Sequence, residues 1–192
     1  MTVVPYAQRR SRPTGWWGMA LFVATEATLF GCLVGSYFYL RLRTSPWPPP
    51  GVAEPKLTLP LVLTGLLVST SFLMQLACSS ARRERVGVAR AALLIALIVQ
   101  AGYLAMQLHL FVHDLHEFPP SQSSYSSIYF TMLGIHHAHV AVGVLLTLWF
   151  VIRLQRGPTN YRLTGLQATT FYWYFVNVAA LVVVLTLLSP RI

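Results

Sequence analysis

Five stretches of the chain are almost purely apolar, and short polar segments separate them. They fall at about residues 16–40, 57–80, 88–113, 125–152 and 165–189. Crossing a hydrocarbon core of about 30 Å takes about 20 helical residues, and each run is long enough. Strict alternation of apolar and polar residues is absent, which argues against a barrel. Backbone polar groups in lipid must be satisfied within the segment, so the runs are expected to be helices. The pattern therefore predicts an all-α integral membrane protein with a five-helix transmembrane bundle. It forms a single domain over 16–192, preceded by a basic arm at 1–15.

The boundaries carry their own signals. Trp16 and Trp17 open the first run and Tyr37, Phe38 and Tyr39 close it, as interfacial aromatic anchors do. The stretch 44–55 is rich in proline (Pro46, Pro48, Pro49, Pro50), which predicts a loop. Residues 113–124, with Pro119 and Pro120, are expected to form a second loop at the same end. The first run is too long for a cleavable signal and has no small-residue cleavage pattern. Within it Ala20, Ala24, Thr28, Gly31 and Gly35 form a small-residue stripe, and Gly134, Ala138, Ala141 and Gly143 mark the fourth run. Gly31, Gly35, Gly134 and Gly143 are thus the expected close helix-packing positions.

Composition agrees with this reading. Of 192 residues, 55% are hydrophobic and only 10% charged, which sets the chain apart from soluble domains. The net charge of +9 does not call for nucleic acid, because the basic residues cluster between spans. Arg9, Arg10, Arg12, Arg82, Arg83, Arg85, Arg90, Arg153, Arg156 and Arg162 lie on one side, ten against Arg41, Arg43, Lys56 and Arg191 on the other. The positive-inside rule then predicts a cytoplasmic N-terminus and a C-terminus outside. The two cysteines, Cys32 and Cys78, show neither disulfide nor metal-site spacing.

Glu26 is the most informative residue, the one charge in the first run. An ionised acidic residue at mid-membrane costs about 2.5 kcal/mol or more on insertion scales, so such a residue is a candidate functional group. Its plainer role is a neutral hydrogen bond between helices. Six histidines supply further chemistry. His136, His137 and His139 lie in the fourth run, and the i, i+3 spacing of His136 and His139 predicts a shared face. His109, His113 and His116 would share a face if the third helix continues so far. Imidazoles bind haem iron, zinc or copper, which keeps a free-standing haem- or metal-binding membrane protein as one alternative. The other role for the fourth-run pair is hydrogen bonding across the bundle, including to Glu26. A transporter would show broken helices or internal symmetry, and neither is present. A nucleophile-elbow enzyme lacks its motif.

Several segments together resemble subunit III of haem-copper (cytochrome c) oxidases in its short, five-helix form. Trp17-Gly18-Met19-Ala20-Leu21-Phe22, followed by Thr25-Glu26 and Leu29-Phe30, resembles that family's Glu-bearing helix. Trp47-Pro48-Pro49 with Gly51 resembles its Trp-Pro-Pro loop. Gly134-Ile135-His136-His137-Ala138-His139-Val140 through Gly143 resembles Gly-Phe-His-x-x-His-Val-x-x-Gly. Phe171-Tyr172-Trp173-Tyr174-Phe175-Val176-Asn177-Val178 resembles the terminal helix. The chain departs from the family at Gln167, Tyr174 and Asn177, where Glu, His and Asp are common, and at Leu110 and Phe111, which stand for Glu and Tyr.

The resemblance implies a subunit with no catalytic residue, cofactor or metal of its own. Haem and copper would lie in partner subunits, and phospholipid in a cleft between helix groups. Subunits I and II, phospholipids and further respiratory complexes are the implied partners. Stabilising subunit I and sustaining its proton uptake is the implied role, in the plasma membrane of a bacterium. Glu26, His136 and His139 would face the lipid cleft or the bundle interior and support proton uptake. A related accessory protein of nitric oxide reductase systems is the second alternative.

Overall fold

The computed structural model describes residues 14–52, 58–154 and 160–189. Five helices account for nearly all of it: α1 (Thr14–Arg43), α2 (Thr58–Arg82), α3 (Val86–Glu117), α4 (Ser124–Arg153) and α5 (Asn160–Leu188). All five are long and apolar enough to cross a membrane. The longest has 32 residues and the shortest 25. At 1.5 Å per residue every one exceeds a hydrocarbon thickness of about 30 Å, so polar helix ends extend into the headgroup layer.

That excess length carries two helices past the expected spans. Helix α3 does not stop at residue 113 but continues through Glu117. Nothing between Val112 and Glu117 breaks a helix, and the buried Phe118 caps it, its N–H donating to Asp114 O. Pro119 and Pro120 then force the exit. Asp114 therefore belongs to a helix and not to a loop. At the other end Thr14 and Gly15, assigned above to the arm, already lie in α1. The remaining arm, Lys56, Arg156 and Arg191 fall outside the described residues.

Helix α5 sits at the centre and touches α1, α2 and α4, while α3 completes the bundle against α2 and α4. Over half of the most apolar stretch of α5 is buried (56%), against 6% for α1. Helix α1 therefore meets its neighbours along a narrow stripe only, through Met19, Val23, Glu26, Phe30, Val34 and Tyr37. Gly31 and Gly35 meet no other helix among the described residues. A Cβ at Gly31 or Gly35 would meet nothing within 4 Å. Both lie on the outward face, because the larger side chains occupy the inward one. Gly134 is in ordinary contact range of Phe111, at 3.8 Å. Gly143 is where a close approach occurs, since a Cβ there would lie 2.7 Å from Trp173. Gly165, which the small-residue pattern did not single out, plays the same part under Phe150 at 2.6 Å.

The two ends of the bundle differ. Arg82, Arg83, Arg85 and Arg90 cluster at one, the basic end, where Arg90 Nη2 donates to Leu154 O at 2.9 Å and ties α3 to the exit of α4. At the other, the proline-rich loop folds over the helix ends. Trp47 Nε1 donates to Tyr37 Oη at 3.2 Å and stacks edge-on against Tyr125. Gln122 Nε2 donates to Gly51 O at 3.2 Å, and Gly51 takes φ +85°, a value that suits glycine. Ser123 caps α4 by accepting from Ser126 N.

Candidate functional site

Glu26 meets His139 where α1, α4 and α5 converge. Glu26 Oε2 lies 2.9 Å from His139 Nε2. The two side chains are 20% and 12% exposed, so the pair sits under one layer of atoms rather than in the open. Phe30 and Phe175 flank the imidazole edge-on at 5.2 and 6.0 Å. Tyr172 Oη donates to His139 O at 2.9 Å and locks α5 to the same turn.

The second ring nitrogen fixes the pair's protonation. His139 Nδ1 lies 2.7 Å from Ile135 O. A carbonyl only accepts, so Nδ1 carries the hydrogen. With a neutral imidazole, Nε2 is then a lone pair and Glu26 must donate to it as a carboxylic acid. With an imidazolium, Nε2–H donates to a carboxylate. Two lone pairs facing each other at this distance would repel. Both permitted states hold one shared proton and are net neutral, the condition under which such a group is tolerated at membrane depth.

His136 does not join them. The i, i+3 spacing was expected to put both histidines on one face, but three residues turn a helix by 300°, and the 60° difference parts them. His136 points to α3, where its Nε2 lies 3.2 Å from Tyr103 Oη. His137 is buried beside Phe111. His109, His113 and His116 lie on the exposed side of α3. His113 approaches Asp114 and Glu117 at 3.7 and 3.8 Å. Among the described residues no three His, Cys, Asp or Glu side chains converge as metal ligands would.

Two features went unread in the sequence. The first is a polar seam between α2 and α5 in the half towards the basic end. Asn177 Nδ2 donates to Ser71 Oγ at 2.6 Å, and Tyr174 Oη to Gln75 Oε1 at 2.9 Å. With its amide oxygen turned to α2, Gln167 accepts from Arg82 Nε and Nη2 at 3.2 Å. A cavity of about 360 Å³ opens here, lined by Gln75, Cys78, Arg82, Gln167 and Tyr174. The i, i+4, i+7, i+11 spacing of Ser71, Gln75, Cys78 and Arg82 was the available signal.

The second is a cavity of about 450 Å³ at the basic end, between the start of α1, the end of α4 and the start of α5. Thr14, Trp149, Arg153, Arg162 and Thr164 line it. The Arg153 guanidinium sits 4.6 Å from the Trp149 ring centroid, which holds it over the cavity wall. Two cations above an apolar wall suit an anionic headgroup with its acyl chain.

This arrangement defines a multi-pass helical membrane protein with a proton-sharing carboxylate–imidazole pair inside the bundle. Residues 12–189 match the family model described as cytochrome c oxidase subunit III, and the chain belongs to that family. It is 30% identical over 169 residues to quinol oxidase subunit 3 of Bacillus subtilis (strain 168), covering 85% of this chain and 79% of that protein. Cytochrome c oxidase subunit 3 of the same organism is 29% identical with the same coverage. Cytochrome bo(3) ubiquinol oxidase subunit 3 of Pseudomonas aeruginosa is 30% identical, covering 85% of this chain and 78% of that protein. The chain is a membrane-embedded member of the haem-copper oxidase subunit III family.

Proposed function

We propose that this chain is the non-catalytic subunit III of a proton-pumping haem-copper terminal oxidase in a bacterial plasma membrane. It binds subunits I and II, which carry the haem and copper, and it holds anionic phospholipid at its basic end. The basic end faces the cytoplasm. Its role is to stabilise subunit I and to keep proton uptake going during turnover. Relatives named for quinol and for cytochrome c oxidation match about equally well.

The observation that supports it most is α1. This helix carries Glu26 inward, paired to His139, and turns Ala24, Ala27, Thr28, Gly31 and Gly35 outward with only 6% of its apolar stretch covered. A smooth outward face of this kind lets another helix approach closely. Glu26 and His139 lie across α1 from that face, on the bundle side of the helix, where they can share a proton. Arg153 and Arg162 would hold the lipid headgroup. His136 faces α3 and has no part in the pair.

The test is purification of the tagged chain in mild detergent, with mass spectrometry of what accompanies it and a visible spectrum. Subunits I and II with haem bands belonging to subunit I support the reading. A colourless chain free of oxidase subunits moves the nitric oxide reductase accessory role to first place. A Soret band in the isolated chain overturns both.

A further inference from the structure

A separate pocket lies in the opposite half of the bundle, between α3, α4 and α5 with Pro60 of α2 at its wall. His136, His137, Tyr103, Gln107, Asp114 and Tyr129 contribute its polar lining. The space open to the centre of a water molecule is about 20 Å³. One water needs at least 10–15 Å³ by this measure, so the pocket has room for one. The imidazoles lining it are almost fully enclosed, His136 2% exposed and His137 4%.

Their hydrogen bonding is incomplete. Neither ring nitrogen of His137 has a partner among the described residues, nor does His136 Nδ1. A neutral imidazole always presents one N–H and one lone pair. His137, which lines the pocket, thus has an unmet donor and an unmet acceptor, and the Phe111 ring beside it at 5.5 Å offers neither. His136 adds a third unmet group whichever way its bond to Tyr103 runs. Buried polar groups in native proteins are satisfied by protein or by ordered water, and a water makes two to four such bonds. Towards the proline-rich end, Tyr129 Oη donates to Asp114 Oδ2 at 2.7 Å. The Asp114 side chain is 21% exposed, so it reaches the surface on one side and the pocket on the other.

We propose that this pocket binds a water molecule, bonded to His137 and His136, that exchanges with the aqueous phase past the Asp114–Tyr129 hydrogen bond. The two buried imidazoles are in this way connected to the proline-rich side of the membrane. The Glu26–His139 pair on the other face of α4 is not part of this connection.

Hydroxyl-radical labelling by short X-ray pulses tests it, because radicals formed from a bound water mark enclosed side chains beside it. The full chain is used in lipid nanodiscs. Tyr103 and Tyr129, 2% and 3% exposed, should be labelled, while Trp173, 0% exposed and away from the pocket, should not. His137→Phe removes both nitrogens and fills the space, so labelling of both tyrosines should fall several-fold. Tyrosines as silent as Trp173, or labelled equally in the variant, would overturn the proposal. If His137→Phe does not fold, a cryo-EM map of the native chain that resolves other waters decides. A peak within hydrogen-bond distance of a His137 ring nitrogen supports the site, and empty density there refutes it.

Discussion

Replacing Glu26 separates the roles the pair can have. His139 Nδ1–H is committed to Ile135 O, so Nε2 has only Glu26. In Glu26→Gln the amide N–H can donate to Nε2 in the same place, mimicking the acid form. The expected cost is below about 1 kcal/mol, since a neutral hydrogen bond replaces another. In Glu26→Ala the Nε2 lone pair is left without a partner at 12% exposure. That cost is about 1–3 kcal/mol for an unsatisfied buried group. The assay is thermal unfolding of the purified complex, following this subunit, on Glu26→Gln, Glu26→Ala, His139→Ala and the Glu26→Ala/His139→Ala double variant. The two alanine changes should be strongly non-additive, as for any pair in direct contact. Additive effects, or a Gln variant as unstable as the Ala variant, would refute the shared-proton geometry. Sustained oxygen consumption gives the second readout. A Gln variant that assembles normally but loses activity over repeated turnovers shows that the mobile proton matters and not the bond.

Gly143→Ala should destabilise the chain by about 1–3 kcal/mol, the range for overpacking. Its Cβ would lie 2.7 Å from Trp173, which cannot retreat without breaking its 2.9 Å bond to Thr147 Oγ1, and thermal unfolding reads the loss. Gly31→Leu should leave the isolated chain as stable as before, because nothing lies within 4 Å, yet it should reduce recovery of partner subunits in a pull-down. Tyr129→Phe removes a hydrogen bond to a carboxylate and should cost about 1.5–3 kcal/mol in unfolding. The Arg153→Ala/Arg162→Ala double variant should retain less anionic phospholipid in native mass spectrometry while zwitterionic lipid is unchanged.

The five helices were legible because membrane depth imposes one simple pattern, about 20 apolar residues with charges at both ends. Their ends were less so. Asp114 and Glu117 read as loop because they are polar, but a helix leaving the hydrocarbon has no reason to stop until a proline intervenes. The stripe through Gly31 and Gly35 was visible, while its direction was not. Small residues mark a face that permits close approach, and which helix occupies it depends on where the large side chains point. Glu26 announced itself by cost alone. Its partner among three histidines needed the rotation of α4 relative to α1, which sequence spacing does not encode. The pocket at His137 depends on three helices meeting, and no single segment carries a sign of it.

The seam between α2 and α5 sharpens the meaning of Glu26. At three positions where the resemblance leads one to expect Glu, His and Asp, this chain has Gln167, Tyr174 and Asn177. Each neutral side chain finds a polar partner across the seam, in Arg82, Gln75 and Ser71. Cohesion between these helices is therefore achieved without a titratable pair, which avoids the cost of charge at membrane depth. An amide at position 26 would make the bond to His139 by the same means. The carboxyl group there adds little to cohesion that glutamine would not. What it adds is a proton that can sit on either partner of a neutral pair. A group of this kind can hold or pass a proton, and Glu26→Gln is the change that removes that capacity while keeping the bond.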